Sequence, residues 1–306
     1  MIKIVASQSE ANCITHCGKM HADEVFATAF LELLKKEIKL CRTSSVDFEN
    51  LKDDVIVYDI GLREFDHHQA EPKRRENGIV YSSFGLLWQR FGREYLQSNN
   101  ILDVEEVFNI FDLELVEQVD AEDNGFFYKI EALYKVKSLC SIIEMFNPSY
   151  ASGQTENEQF LKAVSFAKEI INETFLNIVG KIIAKKEAKE IIKNNMGPIL
   201  LLDNYLPYQE ALFEEDVNQE IKFVIFPSQR SNYTVRTVQK SIDDHSLRVP
   251  FPKEWGGLAL DELEKVSGVN GSIFCHNKLF IAASDTKENA IKMAMKAIEI
   301  YNSKQG

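Results

Sequence analysis

The chain has 306 residues, 45% hydrophobic and 27% charged, the make-up of an ordinary globular protein with length enough for two domains. Its 35 Lys and Arg against 47 Asp and Glu leave a net charge of −12, which argues against a broadly nucleic-acid-binding surface while leaving room for a local basic cleft and for bound cations. No apolar run approaches the roughly 20 residues of a membrane span. The start, MIKIVASQSE, reads as a strand and not as a secretory signal, and five cysteines without a framework pattern suit a reducing, cytoplasmic setting.

Residues 2–6 read as the first strand, followed by a loop carrying His16, Cys17, His21 and Asp23. A helix from about 23 to 39 follows, with Val25, Phe26, Ala29, Phe30, Leu33 and Leu34 at helical spacing. His16, His21 and Asp23 therefore sit at a strand-to-helix junction, where Asp23 also suits the helix dipole. Cys13 and Cys17 with these histidines lack a second pair at matching distance, which argues against a structural zinc site. Residues 40–44 are a candidate second strand. Val55 to Tyr58 is a buried apolar strand that ends in Asp59, and Asp66-His67-His68 comes seven residues later. Strand, helix, strand favours a parallel sheet, and a carboxylate at a strand's carboxyl end lies where such sheets place ligands.

The stretch Lys73-Arg74-Arg75 reads as a solvated, mobile loop, with a basic flap over an anionic substrate as its functional alternative. Ser82 and Ser83 then cap a helix. The amphipathic helix at 104–119 delivers Asp120, Glu122 and Asp123. Asp120, next to the apolar helix and so better anchored, is the chosen late metal ligand, with Asp123 in reserve. A helix runs from about 157 to 194. Beyond it, residues 198–202, 221–227, 233–238, 271–276 and 279–283 read as strands. Residues 258–266 and 286–302 read as helices, and 276–278 as a tight hairpin turn. The expectation is an α/β protein: a domain over 1–190 with a mainly parallel sheet flanked by helices, then a smaller α+β domain over 191–306.

Carboxylates and imidazoles together suit Mn²⁺, Fe²⁺, Co²⁺ or Zn²⁺ better than Ca²⁺. Asp23, Asp59, Asp66 and Asp120 with His16, His21, His67 and His68 are ligands enough for two ions if one carboxylate bridges. Two ions about 3.5–4 Å apart activate water and stabilise an in-line phosphoryl displacement. Neither a paired nucleophilic Ser or Cys nor a Gly-rich phosphate loop is evident.

The order His16, His21-x-Asp23, Asp59, Asp66-His67-His68, Asp120 resembles the DHH phosphoesterase superfamily. That group holds RecJ-type exonucleases, oligoribonucleases, cyclic-dinucleotide phosphodiesterases and manganese pyrophosphatases. The stretches THCGKMHADE, DIG with FDHHQ, VDAEDNG, RVPFPKEWGGL and VSGVNGSIFCHNKLFIAAS are similar to one branch, the melanocyte-proliferating-gene (MYG) exonuclease family, and span nearly the whole chain. His21 stands where much of the superfamily has aspartate, and no arginine stands near Gly256, where the branch has one. The resemblance implies a DHH-type catalytic domain with two divalent cations, Mn²⁺ first, with Co²⁺, Fe²⁺, Zn²⁺ and Mg²⁺ as alternatives. It implies one ion on His16, His21 and Asp59 and a second on Asp23, Asp59, His67 and Asp120. His68 would then face the substrate phosphate and Asp66 would orient a histidine.

The second domain would bind substrate through Arg236, Arg248 and His276, since guanidinium forks match phosphate oxygens. The implied activity is a 3′→5′ exonuclease on RNA or short oligonucleotides. The alternatives are hydrolysis of a small nucleotide, cyclic dinucleotide or pyrophosphate, and a non-catalytic metal-binding regulator. No membrane partner is expected, and a homodimer is the candidate assembly.

Overall fold

Four short apolar runs pair side by side in the first sheet: β1 (Ile2–Ile4), β2 (Cys13–His16), β3 (Ile38–Thr43) and β4 (Ile56–Val57). Their order is β1-β3-β2-β4 and every pairing is parallel. The structure, a computed structural model, describes residues 1–127, 131–230 and 232–305. It divides into two compact units, Met1–Val179 and Gly180–Gly306. The first is α/β on this parallel sheet, and the second is built on a mixed sheet.

The segment expected as a loop after the first strand contains β2, and it is β2 that feeds the first helix. Cysteine and threonine flank Ile14 and disguise the run, yet Cys13, Ile14 and Thr15 are all fully buried between β3 and β4. Helix α1 (Ala22–Leu34) returns the chain to β3, the parallel crossover expected of such a sheet. It is buried continuously from Ala22 to Leu31, including Asp23 and Glu24.

Helix α2 (Ser83–Ser98) packs on α1 through aromatic side chains, Phe84 on Phe26 at 5.4 Å and Trp88 on Phe30 at 5.4 Å. The expected helix at 104–119 is a longer helical path: α3 (Val104–Phe111), a π turn (Asp112–Val116) and α4 (Glu117–Asp123). A short helix α5 (Leu139–Glu144), not expected from the sequence, follows. Helix α6 (Glu156–Lys193) is one unbroken run of 38 residues, and the division between units falls inside it.

Gly85 on α2 marks the closest approach in this unit. A Cβ there would sit 2.3 Å from Asp120 Oδ2. Gly85→Ala is therefore expected to destabilise the protein by about 1–3 kcal/mol, the usual cost of overpacking, read as a lower urea midpoint.

The second sheet has the order β5-β6-β7-β9-β8, with β5 (Ile199–Leu201) parallel to β6 (Phe223–Pro227). The others, β7 (Tyr233–Thr237), β8 (Ser272–Cys275) and β9 (Ile281–Ser284), run antiparallel to their neighbours. Helices α7 (Gln209–Glu215), which the sequence reading missed, α8 (Leu260–Ser267) and α9 (Lys287–Ser303) complete it. Trp255 lies in its apolar core with Phe251, Leu263 and Met293. No helix among the described residues is long and apolar enough to cross a membrane.

Candidate metal centre

Because β2 and β4 are neighbours and parallel, their carboxyl ends set His16 and Asp59 side by side. The chain leaves β4 by a sharp turn. Asp59 has φ of 54°, Gly61 87° and Leu62 57°, all left-handed. Such a conformation costs a non-glycine residue roughly 1–3 kcal/mol and tends to persist where it aims a functional side chain. At Gly61 a Cβ would also collide with Phe48 Cζ, 2.6 Å away.

Asp59 faces two ways. Its Oδ2 is 3.2 Å from His16 Nε2, and its Oδ1 is 3.4 Å from His67 Nε2. His16 Nε2 is also 3.2 Å from Glu24 Oε1, while His67 Nε2 meets Asp123 Oδ2 at 3.1 Å and Asp23 Oδ2 at 3.9 Å. Among the described residues three groups therefore have ligand atoms within 4.8 Å of one another: His16, His21, Glu24 and Asp59; Asp59, His67 and His68; His21, Asp23 and Asp123. Asp59 and His21 each belong to two of them.

The fit to cations can be judged from the oxygens. Asp23 Oδ1 and Asp59 Oδ1 are buried and accept no hydrogen bond among the described residues. A buried, unpaired carboxylate oxygen is costly unless a cation compensates it. Burial and the charge of Asp59 raise the Asp23 carboxyl. Burial, with Asp23 and Asp59 adding to it, lifts Glu24 to about 8, and burial with Asp23 lifts Asp123 to about 9. The imidazoles show the complement. Burial opposes their charge, yet hydrogen bonds donated to Asp59 and Glu24 hold His16 up at about 11, and Asp59, Asp23 and Asp123 hold His67 up at about 9. Burial would raise Asp59 as well, but His16 and His67 bring it down to about 2.

Protons therefore stand in this cluster for positive charge that a divalent cation would supply. Raised values mean protonated ligands at neutral pH, so cation binding is expected to release protons and to tighten as pH rises from 7 toward about 9. Calorimetry of Mn²⁺ binding in buffers of different ionisation enthalpy reads the release directly, and a pH-independent affinity would contradict it.

Outer hydrogen bonds fix which imidazole nitrogen faces the cluster. His16 Nδ1 lies 3.0 Å from the Cys17 carbonyl, which can only accept, so Nδ1 keeps its proton and the Nε2 proton is the one a cation would displace. Asn124 does the same for His67. Its amide nitrogen donates to the carbonyls of Val80 (3.1 Å) and Asp120 (2.8 Å), so its Oδ1 is the acceptor 3.2 Å from His67 Nδ1. His68 Nδ1 donates to Asp66 Oδ1 at 2.8 Å, and Asp66 also accepts from the Leu62 and His68 amides. Asn124→Leu is expected to weaken cation affinity about 10–100-fold, with Asn124→Asp, which keeps the acceptor, recovering most of it in a competition titration.

Not every residue singled out in the sequence arrives here. Asp120 does not. It is fully buried against Arg75 (Nη2 2.7 Å, Nε 2.9 Å) and Ser82 (amide 2.9 Å, Oγ 2.6 Å), and Asp123, one helical turn on, stands at the cluster. Arg75 is correspondingly no part of a solvated loop, being buried between Asp112 and Asp120. Lys73 and Arg74 stay outside, over the Tyr81 ring and on the Gly78 carbonyl. Ser82 holds the capping position of α2 but spends its hydroxyl on Asp120.

In the second unit Arg248 is buried in an ion pair with Asp216 and donates to the Ile221 and Gln239 carbonyls, so its guanidinium is committed to the fold. His276 opens a five-residue hairpin loop, 276–280, longer than the tight turn expected, and its Nδ1 accepts from the Lys278 amide at 3.1 Å. Arg236 on β7 is half-buried and lines a small cleft with Tyr208 and Gln239. Sequence reasoning passed over Glu24 and Asn124. The capping box explains the first, because Glu24 also accepts from the His21 amide at 3.0 Å, the bland role its position suggests.

Fold and cluster together define an α/β protein with a centre of carboxylates and imidazoles, suited to divalent cations, at the carboxyl edge of a parallel sheet. The chain belongs to the MYG1 exonuclease family, whose model, described as an uncharacterised protein family (UPF0160), matches residues 12–298. The MYG1 protein of Chlamydia muridarum is 32% identical, over 90% of this chain and 92% of its own. The MYG1 protein of Dictyostelium discoideum is 29% identical, over 95% and 97%. A Mus musculus protein named MYG1 exonuclease is 27% identical, over 92% and 83%. Among solved structures, RecJ from Thermus thermophilus in complex with Mn²⁺ aligns with a TM-score of 0.30 and 13% identity over 95% of this chain. The chain spans about half of that one, 53%.

Proposed function

We propose that this protein is a divalent-cation-dependent phosphodiesterase, acting as a 3′→5′ exonuclease on RNA or short oligonucleotides with Mn²⁺ as the first candidate metal. The observation that carries the reading is Asp59, a buried carboxylate shared between the His16 and His67 groups, with an oxygen that accepts no hydrogen bond among the described residues. Membership of a family named for exonuclease activity supports the reaction class. The net charge of −12 favours short substrates over long duplexes, which need extended basic surfaces.

His16, His21, Glu24 and Asp59 would hold one cation, and Asp59, His67, Asp23 and Asp123 a second. When bound, such cations polarise the phosphodiester and acidify the attacking water. The protein's own contribution is positional. Asp66 holds His68 by Nδ1, and His68, with its side chain 61% exposed, presents the rest of its ring to the substrate phosphate. In the second unit Arg236 and His276 remain the candidate phosphate contacts. Five cysteines without a disulfide support a cytoplasmic setting.

Metal-stripped protein given Mn²⁺ and 5′-labelled single-stranded RNA is expected to produce a ladder shortening from the 3′ end. Cleavage confined to a dinucleotide or pyrophosphate would move the substrate to small phosphate esters. Bound cation without turnover on any of them would leave a regulatory metal-binding protein.

A further inference from the structure

Beside the cluster the first unit opens a cavity of about 580 Å³ that the chemistry above does not use. The start of α1, the end of α4 and helix α5 wall it, and it shares His21 and Asp123 with the cluster. Its volume lies within the roughly 300–1,000 Å³ of small-molecule sites. Part of its wall is aromatic and uncovered, with Phe127 73% and Tyr134 77% exposed. Rings held out of a core beside a polar cavity are surface for a ligand to cover. The rest mixes apolar residues, Ala22, Ala132, Val136 and Cys140, with polar and acidic ones. Glu122 and Glu144 join Asp123, and no lysine or arginine is among the described lining residues. Lys19, which reaches Glu144 at 3.6 Å, is not part of the lining.

Such a cavity repels phosphate. It accepts a flat, uncharged group that can stack and can donate N–H hydrogen bonds to carboxylates. We propose that it seats the nucleobase of the nucleotide whose phosphate lies at the cation cluster, stacked on Phe127 and Tyr134 with its amino or imino groups directed to Glu122 and Ser138. The proposal rests on the phosphodiesterase reading and narrows it: the substrate is a nucleotide, since pyrophosphate has nothing to place there. Aromatic stacking is indifferent to which base is presented, as suits an enzyme that removes residues in succession.

Two measurements test it. The first is a fluorescence titration of the Mn²⁺-loaded protein with 2-aminopurine riboside 5′-monophosphate, whose emission stacking quenches. Saturable quenching is expected, weakened roughly ten-fold in a Phe127→Ala/Tyr134→Ala double variant. Both side chains are exposed, so circular dichroism should show an unchanged fold. The second is Mn²⁺-dependent turnover of paired single-stranded RNAs that differ only in a normal or an abasic terminal residue. The double variant is expected to raise KM about ten-fold for the normal substrate, with kcat within about two-fold, and to leave the abasic one unchanged. Quenching lost in the variant while even the wild type hydrolyses nothing would keep the base site and sink the phosphodiesterase reading. Turnover with unaltered quenching, or an equal loss on both RNAs, would sink the base site and leave that reading standing.

Discussion

Replacing Asp59 with alanine is expected to lower kcat/KM for Mn²⁺-dependent RNA hydrolysis by at least about 10³-fold, or about 4 kcal/mol of transition-state stabilisation. The size follows from the position. Asp59 is the carboxylate common to the His16 group and the His67 group, so its loss removes a ligand from both. The other carboxylates cannot replace it, since Asp23 and Asp123 sit on the His67 side and Glu24 on the His16 side. Thermal melts separate this from misfolding. A cation that binds only the folded state raises the melting temperature, so Mn²⁺ should raise it in the wild type and leave the variant where it was. The metal-free variant should still melt in one cooperative step, at a lower temperature, because His16 and His67 lose Asp59 as their counter-charge. Full activity in Asp59→Ala would show that the shared-carboxylate assignment is wrong.

Asp59 was legible in the sequence because an apolar β-branched run leads straight into it and Asp66-His67-His68 follows at close range. The parallel sheet was legible for the same reason, since strand, helix, strand leaves few topologies. Two linked features were not. The sequence favours Asp120 over Asp123 because Asp120 directly follows the apolar helix and looks the better anchored. The helix runs on through Asp123 after the π turn at Asp112–Val116, and in that phase Asp120 points at Arg75 while Asp123 reaches His67.

Arg75, in turn, looked solvated because it sits in Lys73-Arg74-Arg75, where charge density reads as surface. Each residue's role depends on the other, 45 positions away, and no local pattern encodes such a pairing. Arg248 repeats the lesson. Guanidinium chemistry suits phosphate, but Asp216, 32 positions earlier, already occupies it. Strand β2 was hidden by a subtler cause: a strand buried on both faces can use Cys and Thr, and alternation is then absent.

Arg75→Met is expected to destabilise the protein by about 3–5 kcal/mol at neutral pH, the usual penalty for removing one partner of a buried ion pair. Arg75 binds Asp112 through both terminal nitrogens and Asp120 through Nε and Nη2, with Glu117 3.6 Å away. Without it two buried carboxylates lose their compensating charge. The loss should depend on pH in a definite direction. Burial already raises Asp120 to about 6 with Arg75 present, and removing the guanidinium raises it further. A carboxyl whose folded value exceeds its unfolded value is least costly when protonated, so the gap between variant and wild type should narrow as pH falls from 7 toward about 5. Urea unfolding at both pH values measures it.

The companion variant Asp120→Asn keeps the shape and the acceptor for the Ser82 amide, and should lose stability while binding as much Mn²⁺ as the wild type. Asp123→Asn should do the reverse, with lower Mn²⁺ stoichiometry or affinity and little change in the metal-free melt, because burial already favours the neutral form of that carboxyl. If Asp120→Asn instead stayed folded and lost the cation, Asp120 would return to the ligand shell and α4 would have to turn to bring it there.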